Sequence, residues 1–307
     1  MAHITSPQGA TPLAHQLDSL MTLLAVVRLG RYSAAGEALG INHSTVSRRL
    51  AALEKAVGGR LLSRTQDGWE ATALGTRVLA VAEEVEAAVG KLADDGDGLV
   101  HGMLRVAAPE AFTTQICVPA AVRLRERHPA VEVELISATQ RVRQSRSGVD
   151  IEVVVNKPLV HKAVSEHIGD YALGLYASPE WLAAHGTPRR REDLAGVAIN
   201  YYVDSMLQVD ELDMAAEELP GTRRGVRSTS VFAHVAATEA GGGVGILPDF
   251  LARGAEERGT LVRVLPEEYS YVLSYWAVVR QEALRSPLVA AGVEALRAAA
   301  RAELAGA

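Results

Sequence analysis

Between residues 42 and 64 (NHSTVSRRLAALEKAVGGRLLSR) five bases, Arg48, Arg49, Lys55, Arg60 and Arg64, stand against Glu54 alone, a local balance of +4 in a chain of formal net charge -6. A local patch of charge decides which partners are attracted, more than the total does. Within this run Val46, Leu50, Leu53 and Val57 recur at intervals of four, three and four, the spacing of a helix with one apolar face. With Val46 pointing inward and 100° per residue, Leu50 and Leu53 fall within about 40° of it, while Ser44, Arg48 and Thr45 lie at roughly 160°, 200° and 260°. Those three face away from the core. The planar fork of Arg48 matches guanine O6 and N7; Ser44, Thr45 and Ser47 can bond bases or phosphates, and His43 stands at the helix start. Arg49, Arg60 and Arg64 suit phosphates, contacts that position a protein without reading sequence. The plain alternative is a solvated basic face on a small helical bundle.

The elements around this run have to hold it at a duplex. Residues 17–29 (LDSLMTLLAVVRL) read as an amphipathic helix stopped by Gly30. Ser33, an expected N-cap counted here with the DNA-facing residues, opens a short helix ending at Gly40; after the turn Gly40-Ile41-Asn42, Asn42 caps the next helix. Short helix, tight turn and longer basic helix form the helix-turn-helix pattern, whose second helix enters the major groove. Residues 60–72 are expected to form two short strands about a turn at Asp67-Gly68, a wing beside that helix. Thr72 opens a long helix in which Leu74, Val78, Val81, Val85, Ala88 and Leu92 make an apolar seam, read here as a dimerisation surface. The expected divisions are a disordered extension (1–16), a winged helix-turn-helix domain (17–72), a dimerisation linker helix and hinge (73–99, with DDGDGL as flexible linker) and a two-lobed domain (100–307).

From residue 102 strands alternate with helices: strands at 103–109, 131–137 and 149–156 around a helix 112–128, then a second block from 171 with GVAINYY, a helix 231–240, GVGILP and LVRVLP. The strand 271–280 and helix 287–303 are expected to return to the first block. Such alternation predicts a largely parallel sheet with helices on its faces and a cleft between two lobes. Hydrophobic residues make up 48% of the 307, ample for packed cores. The first sixteen residues lack a charged n-region and an apolar run, and no window reaches eighteen apolar residues, so neither a secretory signal nor a membrane span is expected and the location read is cytoplasmic. The single cysteine, Cys117, excludes an internal disulfide and reads as a buried thiol.

Other chemistries find no support. The run GGGVGIL lacks GxGxxG spacing, since Ile246 stands three after Gly243; DDGDG counted from Asp95 has Val106 where an EF-hand needs Glu; GxSxG and HExxH are absent. No catalytic residue, metal site or cofactor is expected, and the chain is not read as an enzyme.

The stretch YSAAGEALGINHSTVSRRLAALEKAVGGRLLSRT…ATALG, within residues 17–93, resembles the winged helix-turn-helix and linker helix of the LysR-type transcriptional regulators almost position by position. GMLRVAAPEAF, VPAAVRLRERHPAVEVEL, GLYASPEWLAAHG, DLAGVAIN and GGGVGILPDFLA resemble successive segments of that family's effector domain, so the likeness covers nearly the whole chain after residue 16. It departs where the family often has Gln-Pro before Ala-Val-Ser, here His43-Ser44-Thr45, and where DIEVVVNKP replaces an Asp-Leu-Ala-Ile run.

The resemblance implies an all-α winged N-terminal part, a periplasmic-binding-protein-like two-lobed α/β domain, pairing through linker helices into dimers or tetramers, and control by a small molecule. The expected partners are double-stranded DNA, an unidentified effector, further copies of the chain and RNA polymerase, with no membrane. Family placement puts effector contacts at Glu110, Thr113, Thr114, Ser137, Thr139, Asn156, Tyr201, Tyr202, Thr229 and Gly245. Thr113 and Thr114 are expected at a helix start, where free amides favour an anionic group. The rival readings are an α/β small-molecule binder or enzyme with an incidental helix-turn-helix, and a DNA-binding protein without sequence preference.

Overall fold

Leu20, Leu23, Leu24 and Val27 set one apolar stripe along α1 (Leu17–Leu29), and that stripe is buried in the N-terminal core. The computed structural model describes residues 17–65, 68–92, 100–137, 148–158, 163–203, 215–219, 221–281, 283 and 286–305. Its contacts divide into two compact units, residues 1–99 with 143–149 and residues 100–142 with 150–307.

In the first unit α2 (Tyr32–Leu39) ends at Gly40, whose left-handed φ of 64° turns the chain in the space of three residues. Asn42 then starts α3 (His43–Val57), accepting a 2.8 Å bond from the Thr45 amide, a cap of about 1 kcal/mol. Ser33 is not a cap. The N-cap position of α2 is Arg31, which makes no side-chain capping bond, and Ser33 lies exposed inside the helix because helical geometry already begins at Tyr32. The strands β1 (Leu62–Thr65) and β2 (Gly68–Ala71) pair antiparallel, with Thr65 opposite Gly68; Asp67 lies outside the described residues. Thr72 Oγ1 accepts from the Gly75 amide and opens α4 (Ala73–Leu92).

Part of the α4 seam, expected to be a dimerisation surface, faces this unit's own core. Val78, Leu79 and Ala82 are buried in the core built by α1 and α3, and Leu74 packs half-buried against it. Arg28 of α1 grips Glu86 of α4 with two bonds of 2.8 and 2.6 Å. Val78 therefore belongs to the interior. A four-three apolar repeat describes any buried helix seam, whether the neighbour is the same chain or another. The outward member is Val81, 49% exposed, with Val85 half-buried; the side chains of Ala88 and Leu92 lie outside the described residues.

The second unit hangs on one nine-stranded sheet of order β4-β3-β5-β11-β6-β9-β7-β8, with β10 also paired to β6. Its first lobe has three parallel strands, β3 (Gly102–Ala108), β4 (Val131–Ser137) and β5 (Ile151–Val155). One helical stretch follows β3: α5 (Glu110–Phe112), a π-helical turn (Thr113–Cys117) and α6 (Val118–Arg127). In the second lobe β7 (Ala198–Tyr202) runs parallel to β8 (Arg223–Ser228) and β9 (Val244–Pro248), while β10 (Val262–Val264) lies against β6.

Two long strands run through both lobes, β6 (Ala163–Ala177) and β11 (Tyr271–Arg280), antiparallel to each other along the whole of β11. The sheet is thus mixed, not largely parallel, because the crossing strands return in the opposite direction. Helices α7 (Pro179–His185), α8 (Val231–Glu239) and α9 (Asp249–Glu257) belong to the second lobe. The last helix, α10 (Pro287–Leu304), packs against α6 and β3 of the first lobe, as expected, and against the crossing strand β6. One hydrophobic core runs through both lobes. No helix among the described residues is long and apolar enough to cross a membrane.

Gly75 shows how tightly α4 is seated: a Cβ there would be driven into the carbonyl oxygen of Leu61. Gly75→Ala should therefore destabilise the N-terminal unit by about 1–3 kcal/mol, the usual cost of overpacking. Chemical denaturation followed by tryptophan fluorescence would measure it, and an unchanged midpoint would show that α4 shifts without penalty.

Candidate nucleic-acid interface and interlobe site

Val46, Leu50 and Leu53 are all buried, and that fixes the rotation of α3. Each such side chain contributes roughly 1.5–3 kcal/mol on burial, so the helix has no cheap alternative setting. The opposite face carries Ser44, Ser47 and Arg48 exposed, with Thr45 half-buried beside them. The Ser44 hydroxyl donates 2.8 Å to Asn42 Oδ1, so it belongs to the cap as well as to the outer face. Arg60 and Arg64 stand exposed, Arg64 on β1 opposite Trp69. Arg49 differs from them. Its guanidinium pairs at 2.5 Å with Asp18 in the first turn of α1, which places a carboxylate where a phosphate was expected.

Sequence reasoning missed the device that holds the wing. The rings of His43, Tyr32 and Trp69 form a chain: His43 tilts on Tyr32 at 5.4 Å between centroids, and Tyr32 stacks on Trp69 at 4.8 Å. The start of α3 is thereby joined to β2 through α2. The Trp69 amide donates 3.0 Å to the Gly30 carbonyl, and Glu54 Oε1 accepts from the Leu61 amide, so the end of α3 is tied to the root of β1. Burial and the nearby Glu54 raise the Tyr32 hydroxyl above its ordinary pKa, partly offset by Arg60.

In the second unit the lobes meet around Glu110, the first residue of α5. Its Oε1 accepts from the Ser230 hydroxyl at 3.1 Å and its Oε2 from the Val231 amide at 3.0 Å. Helix α8 makes no capping bond with its own N-cap side chain, so a carboxylate from the opposite lobe does that work. Such an anion at a helix N-terminus contributes about 0.3–1 kcal/mol, up to ~2 where partly buried. Next to it Tyr202 stands edge-on to His234 at 4.6 Å and to Tyr201 at 5.1 Å. Burial, then the Glu110 charge, push the Tyr202 hydroxyl up. His234 is pushed down to about 4, chiefly by burial, so it is neutral at physiological pH. Beneath them Phe112, Tyr275, Tyr171 and Phe250 form an aromatic stack, Tyr171 on Tyr275 at 4.4 Å, where β6 and β11 cross between lobes.

The other residues expected to contact an effector have varied settings. Thr113 and Thr114 do not begin a helix: the amide of Thr113 is bonded to Pro109, and the two hydroxyls donate to the carbonyls of Ala108 and Glu110. The anion seat expected there is closed, because helical geometry starts three residues earlier. Gly245 is buried in β9 against α8, where a Cβ would strike the Thr238 hydroxyl. Asn156 holds a left-handed φ of 58° and accepts at Oδ1 from the Ser274 amide and hydroxyl, fastening β5 to β11. Ser137 is exposed at the end of β4, Thr229 half-buried in the turn before α8, and Thr139 lies outside the described residues. Ser230 and His234 were not foreseen, since 120 residues separate Glu110 from Ser230 and no local spacing signals that pairing. Cys117 is buried as read, its thiol pushed up to about 12 by that burial.

A winged helix-turn-helix and a two-lobed α/β domain with a polar junction define the architectural class of effector-responsive bacterial regulators. Residues 17–76 match the profile of the bacterial regulatory helix-turn-helix proteins of the lysR family, and residues 97–301 match the LysR substrate binding domain. The chain belongs to the LysR family. It is 28% identical over 184 residues to the transcriptional regulator DmlR of Escherichia coli K12, covering 59% of this chain and 60% of DmlR. With the transcriptional activator TtdR of the same strain it shares 26% over 301 residues, 94% of this chain and 93% of TtdR. Its fold is that of full-length LysG from Corynebacterium glutamicum, solved with bound effector Arg, at a TM-score of 0.64, 23% identity, and coverage of 96% and 99%.

The ring chain gives the interface its own test. Trp69→Ala should lower the stability of the N-terminal unit by about 1–3 kcal/mol, with the stacking lost beyond the area. Amide exchange should rise across β1 and β2 and at the start of α3 together. Exchange that rises in the wing alone would show that the rings do not couple the two.

Proposed function

We propose that this protein is a sequence-specific DNA-binding transcriptional regulator, acting in the cytoplasm as a dimer or tetramer on promoters served by RNA polymerase, and without enzymatic activity. The observation that carries this is the fixed rotation of α3, which presents Ser44, Ser47 and Arg48 outward, with Arg60 and Arg64 exposed just after the helix and on β1. Arg48 is assigned to a base edge and Arg60 and Arg64 to phosphates, with Arg49 able to join them on leaving Asp18. Control comes from a small molecule bound where the lobes meet, a reading supported by the effector-bound LysG relative. The ligand must favour one arrangement of lobes or subunits, since equal affinity for all would shift nothing. Val81 and Val85 are the proposed pairing residues of α4.

Mobility shifts on the DNA upstream of its own gene, at raised salt and with random competitor, test this. The complex should persist; equal competition by random DNA would sink the reading. Arg48→Ala should cost about 1–3 kcal/mol and relax base preference, whereas Arg64→Ala should weaken binding to all sequences alike. Fluorescence anisotropy on specific and random duplexes separates the two, and equal losses for both variants would remove the base assignment. In light scattering Val81→Asp should move the population towards monomer, because an unpaired charge would be buried on association; unchanged dimers would place the interface elsewhere.

A further inference from the structure

We propose that Glu110 makes the interlobe site selective for an effector carrying an ammonium or guanidinium group: its carboxylate fills the anion seat at the start of α8 from within and leaves its remaining lone pairs for a cation. The inference rests on the lobe junction being the effector site and goes on to name the ligand's charge.

The free amides that begin a helix favour an anion, and in a site of this kind they would take an effector's carboxylate. Here both oxygens of Glu110 already meet donors at that terminus, the Ser230 hydroxyl at 3.1 Å and the Val231 amide at 3.0 Å. A tethered group competes at an effective concentration of millimolar order or above, so a free carboxylate is poorly placed to displace it. Both donors are neutral, and among the described residues Glu110 forms no ion pair. Each carboxylate oxygen can accept a second bond, and a half-buried charge held only by neutral groups gains from a cationic partner.

Of the neighbouring groups His234 adds an acceptor, while the Arg227 guanidinium, already partnered, brings positive charge near that ring. His234, fully buried, bonds the Ser228 carbonyl through Nε2 at 3.0 Å. A carbonyl can only accept, so Nε2 carries the proton and Nδ1 is a bare acceptor, which has no hydrogen-bond partner. Tyr202, edge-on to His234, lies within reach of the Glu110 charge, and an aromatic ring of this kind can take a cation on its face.

The experiment uses the full chain in thermal unfolding with ethylamine, putrescine and agmatine on one side and acetate and succinate on the other. The wild type should gain melting temperature with at least one amine, rising with dose, and with neither carboxylate. Glu110→Gln, which can still cap α8 through its amide oxygen, should lose the amine response. Glu110→Ala should melt roughly 2–4 °C lower and recover on adding acetate, which restores an anion to α8. Carboxylates that stabilise the wild type, amines that do not, an amine response surviving in Glu110→Gln, or acetate acting equally on Glu110→Ala and wild type would each overturn the assignment. Mobility shifts run with the same compounds distinguish the two levels. Amine binding that leaves DNA binding unaltered sinks effector control at this site and spares the charge preference; a carboxylate that binds the wild type and alters DNA binding does the reverse.

Discussion

The antiparallel ladder between β6 and β11 is the constraint on which the second unit depends. Every other strand of the sheet reaches the rest of the molecule through this pair: β5, with β3 and β4 beyond it, on the β11 side, and β9, β7, β8 and β10 on the β6 side. Because both strands continue through the junction, the lobes cannot separate without bending a shared hydrogen-bonded ribbon. The register slip beside Tyr275 gives that ribbon an irregularity next to the stacked rings of Tyr171 and Tyr275. Bulges add local twist and bend, so the ribbon is already shaped where one lobe passes into the other.

The first unit obeys a simpler rule, that three apolar side chains on α3 leave one rotation open to it. Around that helix the fastenings are short-range and of different kinds: a cap at Asn42, a ring chain to Trp69, a carboxylate from Glu54 to the wing root. None is large alone. Together they tie helix and wing to the same body, so a displacement of one is felt by the other. Glu110 has the corresponding place in the second unit, reaching from one lobe to the first turn of a helix in the other.

What was legible in the sequence follows the range of the interactions. The helix-turn-helix was readable because its signals are local: a four-three apolar repeat, Asn42 at a cap, Gly40 in a turn. The strands of the effector domain were mostly readable, though β8 (RRGVRS) was not, having almost no apolar residue to mark it. The length of β6 was missed for a related reason, since Glu166, His167 and Asp170 interrupt the alternation over half its run. Seam and site suffered most. Val78 and Val81 look alike in a repeat but one is interior and one exposed, and only the packing of α1 against α4 separates them. Thr113 and Thr114 matched a helix start in composition, yet the helix had begun at Glu110, a residue whose partners lie far along the chain.

The pair between Arg49 and Asp18 bears on the thermodynamics of the DNA face. Arginines that settle on phosphates ordinarily release counterions condensed on the duplex, and the number released sets how steeply affinity falls with salt. Arg49 enters that exchange already partnered, so any bond it makes to a phosphate is made against the loss of a carboxylate 2.5 Å away. Its salt bridge weakens in the same direction as the phosphate contact when ions are added. The two effects oppose each other, and the chain's affinity for DNA should therefore depend on ionic strength less than a simple count of its exposed bases would suggest.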